Sequence, residues 1–250
     1  MEELAIPSHG AMMNGILYMA GGAGPHPTVI LLHGFPGNES NLDLAQSIRR
    51  AGWNVLFFHY RGSWGSQGAF SFANSIEDTQ TVLAWARDPQ NGQKYRIDPE
   101  RIVLIGHSMG GFMAAAVGRD PKVAGVAMLA AWNIGAQVRQ AHDPAKIKSH
   151  IQSEILPLSG CTAEGLYAEV LAHKEAWDYN LFVPQLRMHP VLVISADDVH
   201  RSANDAFVST MKSAGATRIA TIHLSTDHLF DDHRIALQIA ILDWLDTLKP

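Results

Sequence analysis

One cysteine, Cys161, occurs in 250 residues. A lone thiol closes no internal disulfide and builds no cysteine-rich zinc site, so the apolar core must hold the fold together. Charge is also sparse: Asp, Glu, Lys and Arg make up 17 % of the chain, the formal net charge is −5, and no block of Lys or Arg stands out. Nucleic acid and anionic membrane surfaces are therefore not expected partners. The longest apolar run, residues 123–132, falls far short of the ~20 residues that span a bilayer. Met1-Glu2-Glu3-Leu4 does not lead from a basic stretch into an apolar one, so no secretory signal is expected, and the sequon Asn38-Glu39-Ser40 has no secreted context. A cytoplasmic protein is the expectation. No internal repeat or low-complexity tract appears. No G-x-x-x-x-G-K-[ST] loop is found either, so no nucleotide or metal cofactor is implied.

What is present is a hydrophobic content of 47 % in a regular alternation of patterns. Residues 4–18, broken at Ser8-His9-Gly10 and Asn14-Gly15, read as a leading hairpin. Strands are then expected at 28–32, 53–60, 101–105, 123–131, 190–195 and 218–224. Helices are expected at 42–51, 75–87, 110–119, 202–214 and 231–248. Val29-Ile30-Leu31-Leu32 and Val191-Leu192-Val193-Ile194 are continuously apolar, as strands covered by helices on both faces are. Strand–helix alternation implies right-handed crossovers and an open, doubly wound sheet, whose chemistry sits at the carboxyl ends of the strands. One domain over 1–250 is expected, interrupted at about 133–189 by a stretch longer than one crossover helix needs. Short helices at 147–155, 163–174 and 177–182 would make that insertion either a cap over the site or a decorated connection.

Gly106-His107-Ser108-Met109-Gly110-Gly111 follows a strand and opens a helix. A serine at the apex of so sharp a reversal stands clear of the sheet, and the helix N-terminus aims N–H groups at any anion formed beside it. Glycines suit this turn because strand and helix pass too close for a Cβ. A serine hydroxyl needs a base, and the base needs a carboxylate to hold its tautomer. In such an arrangement the acid follows a later strand and the histidine follows the last one. Of 13 histidines, His228 alone sits in the loop after the final strand. Asp227, His228, Asp231 and His233 could also be read as metal ligands, but their spacing fits no established site. The penultimate strand ends in Ser195-Ala196-Asp197-Asp198, where one aspartate would face His228 and the other would point away or cap the next helix. Two N–H donors for a developing oxyanion are expected from Met109 and from the loop His33-Gly34-Phe35-Pro36-Gly37, where Phe35 is the natural donor because Pro36 has no N–H. Trp64, Phe70 and Trp177 are candidate pocket walls.

With these segments in this order, the chain resembles the α/β-hydrolase superfamily from about Thr28 onward. It is most similar to small bacterial serine hydrolases related to serine aminopeptidase and prolyl-oligopeptidase catalytic domains. His59-Tyr60-Arg61-Gly62, before Ser63-Trp64-Gly65-Ser66, resembles the rim loop of that group. The resemblance implies a mostly parallel sheet of about eight strands with a small helical cap. It assigns the acid role to Asp197, the first aspartate of the pair, although this segment departs by one residue from the usual length. Because esters lose their leaving group more readily than amides and no anchor for a peptide terminus is evident, the expected activity is a serine hydrolase that cleaves a carboxylic ester on Ser108, Asp197 and His228; a small-molecule acyl substrate and a monomer or homodimer are expected. An aminopeptidase or amidase on the same residues is the alternative within the enzyme class. A non-catalytic binding protein on the same fold is the alternative outside it.

Overall fold

The computed structural model describes residues 1–140 and 143–249. Its strands are β1 (Glu2–Ser8), β2 (Ala11–Tyr18), β3 (His26–Leu32), β4 (Asn54–Phe58), β5 (Ile97–His107), β6 (Gly125–Leu129), β7 (Val191–Ser195) and β8 (Ile219–His223). They form one sheet in the order β1-β2-β4-β3-β5-β6-β7-β8. The β1–β2 hairpin turns at His9-Gly10, both at positive φ, and β2 continues antiparallel onto β4. From β4 to β8 every pairing is parallel.

The apolar runs explain themselves once the two faces are separated. In β3, Ile30 and Leu32 enter one core cluster while Val29 and Leu31 enter the other. In β7, Val191 and Val193 face the first cluster, and Leu192 and Ile194 the second. Side chains alternate across a strand, so a strand buried on both faces must be apolar at every position. Each fully buried Leu or Ile contributes roughly 1.5–3 kcal/mol, which is why these central strands dominate the core.

Helix α1 (Leu42–Arg50) covers the second cluster together with the closing helix, α10 (Arg234–Asp246), through Leu44, Ile48, Leu237 and Ile241. On the opposite face lie α2 (Phe72–Arg87) and α4 (Met109–Val117), the latter buried along its whole length. α2 starts three residues before the sequence-based boundary because Ser71, not a later residue, caps it: its Oγ accepts from the Asn74 amide at 3.0 Å. A short helix that the pattern did not suggest, α3 (Pro89–Tyr95), follows directly. Asp88 caps it, accepting from Gln90 and Asn91 at 2.9 and 3.1 Å, with proline at its first position.

Between β6 and β7 lie α5 (Ile134–Gln140), α6 (Pro144–Glu154), α7 (Ala163–His173), a 3-10 turn (Tyr179–Phe182) and α8 (Val183–Leu186). Residues 141 and 142 of the expected insertion fall outside the described residues. The segment is tied down at α7, where the Glu169 carboxylate accepts from the backbone amides of Phe72 and Ala73, both at 3.0 Å. A carboxylate at the first turn of α2 also complements that helix's positive end. After β7 comes α9 (Arg201–Ser213), which leads to β8.

The chain leaves β3 for β4 on one side and returns to β5 on the other. The carboxyl ends of β3 and β5 are thus a topological switch point, where a crevice opens between diverging connections. Ser108 and the loop 33–37 both lie there.

Candidate active site

Ser108 follows β5 directly and precedes α4, with φ 55° and ψ −117°. A non-glycine residue at positive φ stores strain of about 1–3 kcal/mol, which the surroundings must hold in place. They do so through backbone bonds. The Ser108 amide donates to Leu129 O at 2.9 Å, and its carbonyl accepts from Gly111 and Trp132, each at 3.0 Å. The turn is so tight that a Cβ on Gly106 would run into the Gly110 carbonyl. As the first residue of α4, Met109 carries one of the amides that a helix leaves without an internal acceptor.

The 33–37 loop lies against this turn: a Cβ on Gly34 would sit 3.1 Å from that of Ser108. Nδ1–H of His33 donates to the Gly34 carbonyl at 2.8 Å. The Gly34–Phe35 peptide is trans, so fixing its C=O toward His33 directs the Phe35 N–H the opposite way. His33 is sealed from solvent, and burial, reinforced by the neighbouring His59, pulls its pKa down to about 3. It stays neutral and keeps both a donor and an acceptor nitrogen.

His228 sits in the loop after β8. Its Nδ1–H donates to Asp198 Oδ2 at 2.6 Å, and its carbonyl accepts from Nε2–H of His107 at 2.8 Å. The imidazole is flanked by two others, with ring centroids 4.7 Å away at His107 and 5.1 Å away at His200. Burial is the main force that drives His107 to a pKa of about 3 and His200 to about 4, with His228 adding to both. Both neighbours of the His228 ring are therefore neutral at neutral pH.

The carboxylate that meets His228 corrects the expectation drawn from the resemblance: it belongs to Asp198, not Asp197. Asp197 is on the solvent side. It accepts from Arg201 at 2.5 Å and from Ser225 Oγ at 2.6 Å, and lies 3.2 Å from His223 Nε2. The physical reason lies beyond the strand end, where Asp197 N–H donates to Thr226 O at 2.9 Å and its carboxylate is held at the surface by Arg201, in the first turn of α9, and by Ser225. The next residue turns inward. Asp198 then serves two partners, since its Oδ1 accepts from the His200 amide at 2.9 Å while Oδ2 accepts from the His228 Nδ1–H. The capping role that the sequence offered to the other aspartate falls to neither, since His200 is the N-cap residue of α9 and no side chain caps that helix. Burial raises the carboxyl pKa of Asp198, but the hydrogen bond from His228 and the adjacent histidines outweigh it and hold the group below its usual range.

Ser108, Asp198 and His228 line one cavity of about 550 Å³, with Phe35 on its wall. Sequence reasoning missed several of its other residues. Trp132 lines it, whereas Trp64, Phe70 and Trp177 do not. Phe70 packs behind Phe35 at 5.7 Å between ring centroids, Trp177 stacks on His173 at 4.4 Å, and Trp64 donates from Nε1 to Pro36 O at 2.9 Å. His200 also lines the cavity, as do Gln137 of α5 and His150 and Glu154 of α6, so the insertion forms part of the wall. Nothing in the spacing marks these positions, because they reach the cavity only through packing. Asp227 and His233 serve local bonds instead of meeting at a common point: Asp227 accepts from Leu229 and Asp231, and His233 bonds Asp232. Among the described residues, the group able to hold a cation is a different one, Asp198, His200 and His228. No helix among them is long and apolar enough to cross a membrane.

Comparison with known proteins matches this architecture. The chain is 35 % identical over 91 residues to the uncharacterized protein YfhR of Escherichia coli O157:H7, a stretch covering 36 % of this chain and 30 % of that one. It is 45 % identical over 58 residues to the arylacetamide deacetylase of Bos taurus, covering 22 % and 14 %. The chain thus spans less than a third of the length of these curated relatives. Among solved structures, Est1E from Butyrivibrio proteoclasticus superposes with a TM-score of 0.73 at 17 % identity, covering 99 % of both chains. A hyperthermophilic esterase from the archaeon Pyrobaculum calidifontis does so with 0.69 at 16 %, covering 98 % and 85 %. At such identities the likeness concerns the fold. The family profile goes further, matching residues 29–243, from β3 into the last helix, and on that match the chain belongs to the alpha/beta hydrolase family.

Proposed function

We propose that this protein is a serine hydrolase that cleaves a carboxylic ester through an acyl-enzyme on Ser108. His228 takes the Ser108 proton at Nε2 as the hydroxyl attacks the carbonyl carbon. Asp198 keeps the Nδ1–H of His228 in place and stabilises the imidazolium. The amides of Phe35 and Met109 receive the developing oxyanion, each contributing ~3 kcal/mol. The alcohol leaves with the proton from His228. Water, deprotonated by the same ring, then releases the acid and restores the serine. Each proton in both steps is held or moved by these side chains alone.

The observation that carries this reading is the 2.6 Å bond from His228 to a nearly sealed carboxylate, in the cavity that the strained serine also lines. The cavity wall sets Phe35, Pro36, Trp132, Val199 and Leu229 among ten polar or charged residues, which suits a small acyl group with polar surroundings. An esterase among the structural neighbours and a deacetylase among the relatives make p-nitrophenyl esters and aminoacyl anilides the pair of substrates to compare. Turnover of the esters and covalent labelling by a fluorophosphonate are expected. Ser108→Ala should abolish labelling and lower kcat by ~10⁴ or more. Labelling that persists in folded Ser108→Ala would overturn the assignment.

A further inference from the structure

His200 takes no part in the proposed ester cleavage, yet its ring lies beside the Asp198–His228 pair. One ligand atom from each of Asp198, His200 and His228 lies within 4.8 Å of the others. Two imidazoles, one carboxylate and a position left open to a cavity match the donor set of a zinc-type ion with three protein ligands. At metal–ligand distances of ~2.0–2.2 Å, tetrahedral ligand atoms stand about 3.4 Å apart. The Asp198–His228 contact at 2.6 Å must therefore open by less than about 1 Å, and the His200 ring must close by at most about 1.4 Å. Both rings line the cavity, so an ion can reach them from solvent.

We propose that Asp198, His200 and His228 form a site for a divalent transition-metal ion of the zinc type, and that its occupancy switches off the reaction proposed above. The ion enters between Oδ2 of Asp198 and Nδ1 of His228, displacing the Nδ1 proton to solvent, and His200 completes the protein ligands. An imidazole bound through Nδ1 carries its remaining proton on Nε2. Nε2 is then a donor and has no lone pair to take the Ser108 proton. The inhibitory consequence rests on the serine-hydrolase reading; the binding itself does not.

Equilibrium dialysis of the whole protein against zinc reads the site without any turnover. One zinc per chain is expected, and cobalt(II) in its place should show the visible absorption of a four-coordinate N/O site. His200→Ala and His200→Gln, each checked for native circular dichroism, should weaken zinc binding at least tenfold, whereas Asp197→Asn should bind as the parent does. Zinc should also slow ester turnover, and each His200 variant should resist zinc relative to its own zinc-free rate. Zinc bound equally by the parent and by a folded His200 variant would overturn the site, as would no stoichiometric binding. If zinc binds through His200 but no ester is turned over and no fluorophosphonate labels Ser108, the site stands and the hydrolase reading falls. An active enzyme that binds no zinc removes the metal site and leaves the hydrolase standing.

Discussion

Asp198 accepts a hydrogen bond from Nδ1–H of His228 across 2.6 Å, and its side chain is only 6 % exposed. Two residues with the same side chain, adjacent in the sequence, thereby acquire different chemistry. Asp197 is 43 % exposed and engages a surface arginine at 2.5 Å.

Asp198→Asn should therefore lower kcat by ~10³–10⁴, because an amide leaves the histidine free to adopt the wrong tautomer. Asp197→Asn should change kcat by about twofold or less, the scale of a 0.5 kcal/mol surface effect. Ester turnover by the two variants, measured side by side, checks the assignment. The reverse order of effects would return the acid role to Asp197.

Acid should destabilise the fold through its buried histidines. His33 and His107, each fully enclosed, have pKa values of about 3 against 6.5 in the unfolded chain, with burial the largest cause. Between those values the unfolded state binds protons that the native state refuses. Stability is thus fully present above pH 6.5 and falls as pH drops toward 3. The slope is about 1.4 kcal/mol per pH unit for each histidine. Urea unfolding at intervals from pH 7.5 to 4.5 should show this fall, and His33→Asn should reduce its slope by about one proton's worth. A profile flat down to pH 4.5 would contradict it.

Asp78 is fully buried on α2 and accepts from Arg61 Nε at 2.5 Å, from the Arg61 amide at 2.8 Å and from Ser8 Oγ at 2.6 Å. It joins the rim loop after β4 to the first strand. Asp78→Ala leaves the largely buried Arg61 guanidinium with Glu77, at 2.7 Å, as its remaining carboxylate partner and should cost ~3–5 kcal/mol. For a chain of this size that is a fall in Tm of roughly 6–20 °C, readable by calorimetry.

Glu169→Ala removes the acceptor for two amides at the start of α2 and should cost ~1–2 kcal/mol. Hydrogen exchange should quicken at Phe72 and Ala73. Exchange that is unchanged there would show that α7 does not anchor the insertion in solution.

Much of the sheet was legible because its signals are local. Val29–Leu32 and Val191–Ile194 lie wholly within observed strands, since two-sided burial leaves its mark on every consecutive residue. The strained serine turn was equally readable, because the need for a glycine at 106 is set by backbone a few residues away. α3 was overlooked although Asp88-Pro89 is a start signal, because its seven residues carry only one buried side chain, Tyr95, and so no periodicity. The start of β5 at Ile97 was missed for a related reason. Its first residues pair with His26 before an irregularity at Thr28, so the outer part is neither continuously apolar nor regularly alternating.

The sequence by itself determined the layered architecture, the serine at its apex and the loop histidine after the last strand, because each follows from patterns of a few consecutive residues. Only the tertiary structure decided which aspartate meets that histidine, which aromatic rings line the cavity, and that His200 stands beside the pair. Those outcomes depend on where a side chain points after the chain leaves its strand. That direction is set by packing between segments some 30 residues apart, such as Asp198 and His228, and composition or spacing along the chain does not encode it.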